Sequence, residues 1–280
     1  MATRREIFNR LRDVASELYG DDEARHIAEM IVLSRGTMSR NELLVEPNKE
    51  LEISDIEDII AQLRAWRPVQ YIIGVATFDD LELEVCEGVL IPRPETEELV
   101  EWVASEANTD AKIVDVCTGS GCIALALRRR LKESRVWGID ISPKALAIAC
   151  RNGAKNLLDV GFLEGDALGD FAQLIDSKVD IVVSNPPYIP ISDRGAMRRN
   201  VTDYEPSIAL FVDDDSPLVF YRSIARTARK MLCERGRLYF EIYEYLAHEM
   251  VDMLCAEGYS NIVVREDFRG KQRMICAEKR

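Results

Sequence analysis

The spacing of apolar residues changes twice along the chain. Up to residue 75 it is helical. Ile7, Leu11, Val14 and Leu18 recur at helical intervals until Gly20, and Ile27, Ala28, Ile31 and Val32 do so until Gly36. Ser54 and Glu57 have the spacing of a capping box ahead of Ile56, Ile59, Ile60 and Leu63, and Pro68 ends that run. These stripes predict a small helical domain over residues 1–75, with apolar faces that form its core. It has no catalytic group of its own, so its expected role is partner recognition. From Thr77 to Ile91 the period falls to two. Phe78, Leu81, Leu83 and Val85 alternate there with Asp80, Glu82 and Glu84, which predicts a hairpin connector over residues 76–91.

Beyond residue 92, short apolar runs alternate with amphipathic stretches. Pro94 suits the first position of a helix, and Glu95 and Glu97 suit its electropositive end. Strands are predicted at Lys112–Val116, Arg135–Asp140, Gly161–Glu164, Ile181–Ser184, Arg237–Ile242, Asn261–Arg265 and Met274–Ala277. Helices are predicted at Ile123–Arg130, Pro143–Asn152, Pro217–Cys233 and Tyr245–Glu257. Such alternation implies an α/β fold, with a mostly parallel Rossmann-like sheet covered on both faces. The last two strands lack a helix between them and should pair antiparallel. Residues 189–215 show no clear element and are expected to form a lid.

Two constellations at strand ends carry candidate chemistry. The first is Asp115-Val116-Cys117-Thr118-Gly119-Ser120-Gly121, where a strand turns into a helix. Its glycines let the backbone approach a ligand, and the helix start offers free N–H groups. About 20 residues on, Asp140 ends the next strand, where a carboxylate can accept both hydroxyls of a ribose. Asp166, after the third strand, is placed to approach an adenine amino group. By itself this pattern also fits the dinucleotide fingerprint, because Gly119, Gly121 and Ala124 have its spacing and Asp140 would serve NAD equally well.

The second constellation is Asn185-Pro186-Pro187-Tyr188, closing the apolar run Ile181–Ser184. In open parallel sheets ligands bind at the carboxyl ends of strands, which is where this corner falls. An amide nitrogen is a poor nucleophile, since its lone pair is delocalised into the carbonyl. Methylating it requires acceptors that hold both N–H protons and aim the nitrogen at an electrophilic methyl. The Asn185 side-chain oxygen and the Pro186 carbonyl can form such a pair, with the prolines fixing the backbone and Tyr188 stacking on the flat acceptor. An isolated Asn-Pro turn is an ordinary loop signal. Beside a nucleotide-binding loop, it selects S-adenosylmethionine over NAD, because hydride transfer needs no such corner.

Composition narrows the alternatives. The net charge of −13 opposes binding that rests on neutralising phosphates, although Arg128-Arg129-Arg130 and Arg198-Arg199 are locally basic. The seven cysteines are scattered without a Cys-x-x-Cys pair, as expected of reduced thiols in a cytoplasmic protein. His26 and His248 are the only histidines, which gives no basis for a zinc site or a hydrolytic triad, and no metal is expected. No apolar run approaches the ~20 residues of a membrane span, and no signal peptide is recognisable.

The chain resembles the class I methyltransferases that modify the glutamine of peptide chain release factors at its N5 nitrogen. The likeness covers the helical module, Pro68-Val69-Gln70-Tyr71-Ile72-Ile73-Gly74, and Leu90-Ile91-Pro92-Arg93-Pro94-Glu95-Thr96-Glu97. It continues through the glycine loop, Asn185-Pro186-Pro187-Tyr188, Tyr204-Glu205-Pro206 with Ala209-Leu210, and Asp267, Gly270 and Arg273. The Asn-Pro-Pro-Tyr corner is shared with adenine methyltransferases, whereas the Arg-Pro-Glu-Thr-Glu segment with the helical module points to protein glutamine. The resemblance implies a methyltransferase domain over residues 92–280 that uses S-adenosyl-L-methionine and releases S-adenosyl-L-homocysteine. It places the cofactor against Cys117, Thr118, Gly119, Ser120, Gly121, Asp140, Asp166, Ala167 and Asn185. The substrate glutamine falls against Asn185, Pro186, Pro187 and Tyr188, with Asn185, Pro186 and Tyr188 as the catalytic set. Release factors are the implied partners of a monomeric enzyme; a ribosomal protein or a nucleic-acid adenine would be the alternative substrate. Cys117 stands where the family usually has glycine, so the first turn must accept a side chain. Ala167 stands where some relatives carry a large aromatic, leaving the adenine less covered.

Overall fold

The computed structural model describes residues 2–280. The chain separates into two compact units, residues 1–75 with 198–204, and residues 76–197 with 205–280.

In the first unit β1 (Ala2–Thr3) pairs antiparallel with β2 (Glu50–Leu51), around helices α1 (Arg4–Ser16), α2 (Asp21–Gly36), α3 (Arg40–Val45), α4 (Ile56–Arg64) and α5 (Val69–Ile73). Leu11, Ile31, Val32, Ile59 and Leu63 meet in its core, as the helical spacing requires. The capping boxes lie elsewhere than expected. Thr3 with Glu6 caps α1 and Ser39 with Glu42 caps α3, each satisfying helix N–H groups for about 1 kcal/mol. Helix α4 starts one residue too late for Ser54, so Asp55 takes the cap position without a side-chain bond. Glu57 then falls outside capping reach, and its carboxylate pairs instead with Arg10 at 2.6 and 2.7 Å. Gly20 also does not end α1; it is the residue from which α2 starts. Residues 198–204 join this unit through Arg198, paired with Glu23, and the Tyr204 hydroxyl, which donates to the Ala65 carbonyl at 2.7 Å.

The second unit opens with the hairpin of β3 (Val75–Phe78) and β4 (Leu81–Glu84), followed by α6 (Pro94–Glu106) with proline in its first turn. The order is then β5 (Lys112–Val116), α7 (Cys122–Arg130), β6 (Arg135–Asp140), α8 (Pro143–Lys155), β7 (Gly161–Glu164) and β8 (Val179–Ser184). Short parallel strands β9 (Ile189–Pro190) and β10 (Phe211–Val212) bracket a stretch of 3-10 turns and α9 (Arg199–Thr202). The chain ends with α10 (Val219–Met231), β11 (Leu232–Glu241), α11 (Ala247–Ala256), β12 (Tyr259–Glu266) and β13 (Gln272–Lys279).

The seven-stranded sheet runs β12-β13-β11-β8-β5-β6-β7, parallel except where β13 pairs antiparallel with both β11 and β12. Alternate strand residues serve opposite faces. Val114, Val182 and Leu238 pack against Ile224, Ala228, Met250 and Leu254 of α10 and α11, while Ile113, Ile181 and Val183 pack against Leu99, Val103, Ile123 and Leu127 of α6 and α7. Burial on both sides explains why these strands read as continuous apolar runs. From β5 the chain steps outward through β6 and β7, then returns to the other side of β5 as β8. The order reverses there, and the carboxyl ends of β5 and β8 diverge into a crevice, the usual ligand site of such sheets.

Candidate functional site

Strand register brings the two constellations together. Val116 of β5 lies opposite Ser184 of β8, so Cys117 and Asn185 leave the sheet side by side, and the Ser184 hydroxyl donates to the Val116 carbonyl at 2.6 Å. Cys117 adopts φ 63°, a left-handed conformation that costs a side-chain-bearing residue about 1 kcal/mol. Gly121 requires φ 82° as well, and a Cβ there would come within 3.0 Å of Phe162 and 3.1 Å of Ala149. The turn is held from beneath by Asp115, whose carboxylate accepts from the Thr118 hydroxyl at 2.5 Å, and from the side by Asp140, which accepts from Gly119 N–H at 2.8 Å and Ser142 N–H at 2.9 Å. With one accepted bond on each oxygen, the half-buried Asp140 retains lone pairs for a further donor.

Burial dominates the electrostatics. It pushes Asp115 up to about 7 against the opposing bonds from Thr118 and the Ala124 backbone, with Asp140 adding to the rise. Burial also raises Asp140, the Gly119 and Ser142 N–H groups acting the other way. The Cys117 thiol is raised by burial and by Asp140, so it is no thiolate nucleophile.

A cavity of about 210 Å³ opens on this edge. Cys117, Gly119, Asp140, Asp166, Ala167, Asn185 and Pro187 line it among apolar neighbours such as Val89, Leu90, Ile141 and Leu168. Thr118, Ser120 and Gly121 stand behind its wall and shape the loop instead. Asp166 turns one oxygen to the Leu168 N–H at 2.8 Å. A second cavity of about 150 Å³ lies alongside, walled by Arg93, Asn185, Tyr188, Met197 and Glu241. Asn185 therefore faces both. Pro186 is buried and lines neither. A wider depression of about 820 Å³ runs along the outer face of α10, away from the glycine loop, Asp140, Asp166 and the Asn185–Tyr188 corner. Among the described residues no cluster of His, Cys, Asp and Glu is placed to hold a metal, and no helix is long and apolar enough to cross a membrane.

The family models match in two parts, the "PrmC N-terminal domain" over residues 9–74 and the "Methyltransferase domain" over residues 113–204. The release factor glutamine methyltransferase of Flavobacterium psychrophilum is 38% identical over 93% of this chain and 93% of its own length. That of Streptococcus pneumoniae is 44% identical over 83% and 82%. The chain belongs to the release factor glutamine methyltransferase family. A solved methyltransferase from Pyrococcus furiosus superposes with a TM-score of 0.55 over 71% of this chain and 89% of its own, at 15% identity, a likeness of fold alone.

Two residues around the site, Glu241 and Asn152, escaped motif reading, and a third, Glu205, was legible only as part of the Tyr204-Glu205-Pro206 likeness. Glu241, at the end of β11, is buried and accepts from the Thr96 hydroxyl at 2.6 Å and the Tyr188 hydroxyl at 3.0 Å. Tyr188 is therefore tethered by its hydroxyl, and its ring lies against Tyr243 at 6.0 Å. Glu205 is buried and accepts from Ile91 N–H at 3.1 Å and Arg93 at 2.6 Å, which ties the family's Arg-Pro-Glu-Thr-Glu segment to the Glu205-Pro206 turn. Asn152 accepts from Glu84 N–H at 2.6 Å and donates to the Glu84 and Ser120 carbonyls at 3.1 and 2.9 Å, so α8 supports the glycine loop. Their common signal was a polar side chain at an apolar position: Asn152 one turn beyond Ile148, and Glu241 between Phe240 and Ile242.

Proposed function

We propose that the protein transfers a methyl group from S-adenosyl-L-methionine to the N5 nitrogen of the glutamine in the Gly-Gly-Gln motif of peptide chain release factors. The observation that carries this reading is the position of Asn185, which faces the glycine-loop cavity on one side and the smaller cavity beside Tyr188 on the other. A mixed lining of apolar side chains with the Asp140 and Asp166 carboxylates suits an adenosine. When bound, S-adenosyl-L-methionine supplies the electrophilic methyl group.

The chain's own residues then bind and orient. Asp140 accepts from the ribose hydroxyls, Asp166 and Ala167 meet the adenine, and Cys117 and Gly119 border the amino-acid end of the cofactor. Thr118, Ser120 and Gly121 hold the loop in shape. The Asn185 oxygen, which faces the smaller cavity, and the carbonyl of the buried Pro186 behind it accept the two amide protons of the glutamine, which directs its lone pair towards the methyl group, with Tyr188 walling the smaller cavity and Pro187 the glycine-loop cavity. Alignment and exclusion of water account for the acceleration. No side chain needs to act as a base, since an N-methylated amide cation is strongly acidic, and a pH-independent kcat near neutrality is expected. The helical unit recognises the protein partner, and the segment over residues 189–215 acts as a lid over bound glutamine. The enzyme works as a cytoplasmic monomer on protein, consistent with its net charge of −13.

The test is transfer of labelled methyl to a release factor, to the same factor with its motif glutamine replaced, to ribosomal protein and to duplex DNA. Label confined to the intact release factor supports the reading. Label on DNA or ribosomal protein, or none on the factor, overturns the substrate assignment.

A further inference from the structure

We propose that Glu241 is a positioning residue that sets the orientation of the Asn185 amide through the hydroxyl of Thr96. This rests on the reading of Asn185 as the acceptor for the glutamine N–H. The three side chains come from separate elements. Thr96 lies in the first turn of α6, Asn185 follows β8, and Glu241 ends β11.

An asparagine side chain offers an oxygen on one side and an NH₂ on the other, and nothing intrinsic decides which faces the substrate. Here the hydrogen-bond chain decides it. Thr96 has one hydroxyl proton, and at 2.6 Å that proton goes to Glu241 Oε2. What Thr96 presents to its other neighbour is therefore lone pairs only. That neighbour is Asn185 Nδ2, at 3.4 Å. The contact is long, so its value is in orientation rather than energy. It satisfies the NH₂ side and leaves Oδ1 free as an acceptor. The reverse orientation would set two acceptors against each other and turn N–H donors towards an incoming amide that is itself a donor.

Glu241 is suited to this task because its carboxylate only accepts. Oε1 takes the Tyr188 hydroxyl at 3.0 Å while Oε2 takes Thr96, so one buried group orders both walls of the smaller cavity. Beneath it, the Tyr221 hydroxyl donates to the Glu241 carbonyl at 3.1 Å and steadies the strand end. Burial raises the Glu241 carboxyl, and the Thr96 and Tyr188 bonds and Arg273 oppose that rise.

The experiment compares wild type with Thr96→Val, Thr96→Ser and Glu241→Gln, measuring kcat on release factor, KM for S-adenosyl-L-methionine, and the Asn185 side-chain amide resonances of ¹⁵N-labelled protein without substrate. Thr96→Val keeps the shape and deletes the hydroxyl. It should lower kcat by about a hundredfold with little change in that KM, while Thr96→Ser restores most of the rate. Glu241→Gln has a single acceptor oxygen for two hydroxyl donors and should lose rate similarly. The Thr96→Val/Glu241→Gln double variant should be about as slow as either single one, because both break the same chain. Asn185 resonances should move in both single variants and return in Thr96→Ser. An unchanged kcat in Thr96→Val, multiplicative losses in the double variant, or Asn185 resonances that ignore Thr96 would overturn the inference. A wild type that leaves release-factor glutamine unmethylated sinks the functional reading instead, and the resonances still decide whether Glu241 orients Asn185.

Discussion

The two halves of the crevice are built differently. The glycine-loop side is local: residues 115–121 and Asp140 come from adjacent strands, and the turn is held by the Gly119 N–H bonded to Asp140, the Ser120 carbonyl bonded to Asn152 and the Thr118 hydroxyl bonded to Asp115 three residues away. The acceptor side is assembled at long range, since Thr96 and Glu241 bond across 145 residues and Asn185 meets Thr96 across 89. At Cys117 the cradle asks only for a left-handed backbone conformation, which a side-chain-bearing residue adopts here. A corner made of side-chain hydrogen bonds asks for more, because each partner's donor or acceptor identity is part of the geometry.

The strongest way to break this contrast is Asn185→Ala. Loss of the acceptor should lower kcat by about 10³-fold with a much smaller change in S-adenosyl-L-methionine affinity, measured by single-turnover kinetics and calorimetric titration. A matching loss in cofactor affinity would merge the two halves into one unit.

The cradle has its own vulnerable point in Asp115. A buried carboxyl raised to about 7 binds a proton in the folded state that the unfolded chain releases near its ordinary value of 3.8. Between those values the folded state holds more protons, so this group makes stability fall as pH rises, by up to roughly 4 kcal/mol across the window. Asp115→Asn should therefore gain on wild type as pH goes from 4 to 7 in denaturant melts. A difference between the two proteins that stays constant with pH would refute this.

Asp140→Ala should act on the cofactor side, raising KM for S-adenosyl-L-methionine by about ten- to a hundredfold and lowering kcat less, the inverse of the Asn185 result. The smallest effect is expected from Cys117→Gly. Relief of the left-handed conformation and the added freedom of the unfolded chain nearly cancel, so urea melts should show a change below about 1 kcal/mol. A loss of several kcal/mol would mean that the cysteine side chain, and not the backbone, holds the turn.

Much of this was legible in the amino-acid order. The strands of the large sheet were placed to within a few residues, because parallel strands buried on both faces are written as short apolar runs. The glycine loop and Asp140 were legible for a related reason, since a turn between a strand and a helix needs particular residues at fixed spacing. The cap of α4 was misread because a capping box depends on where the helix starts to within one residue, and Arg10 competed for Glu57. Glu241 passed as one more residue of a strand, and Thr96 was legible as part of the Arg-Pro-Glu-Thr-Glu segment but not as a partner of Glu241.

The chain order by itself determined the elements, their alternation, the left-handed turn and the polar corner after β8, since each depends on residues within a few positions of one another. Only the tertiary structure decided that β8 would lie beside β5, that β11 would bring a buried carboxylate behind the corner, and which way the Asn185 amide would face. Hydrogen-bond direction depends on the partner's protons, and those partners are far apart along the chain until the sheet has formed.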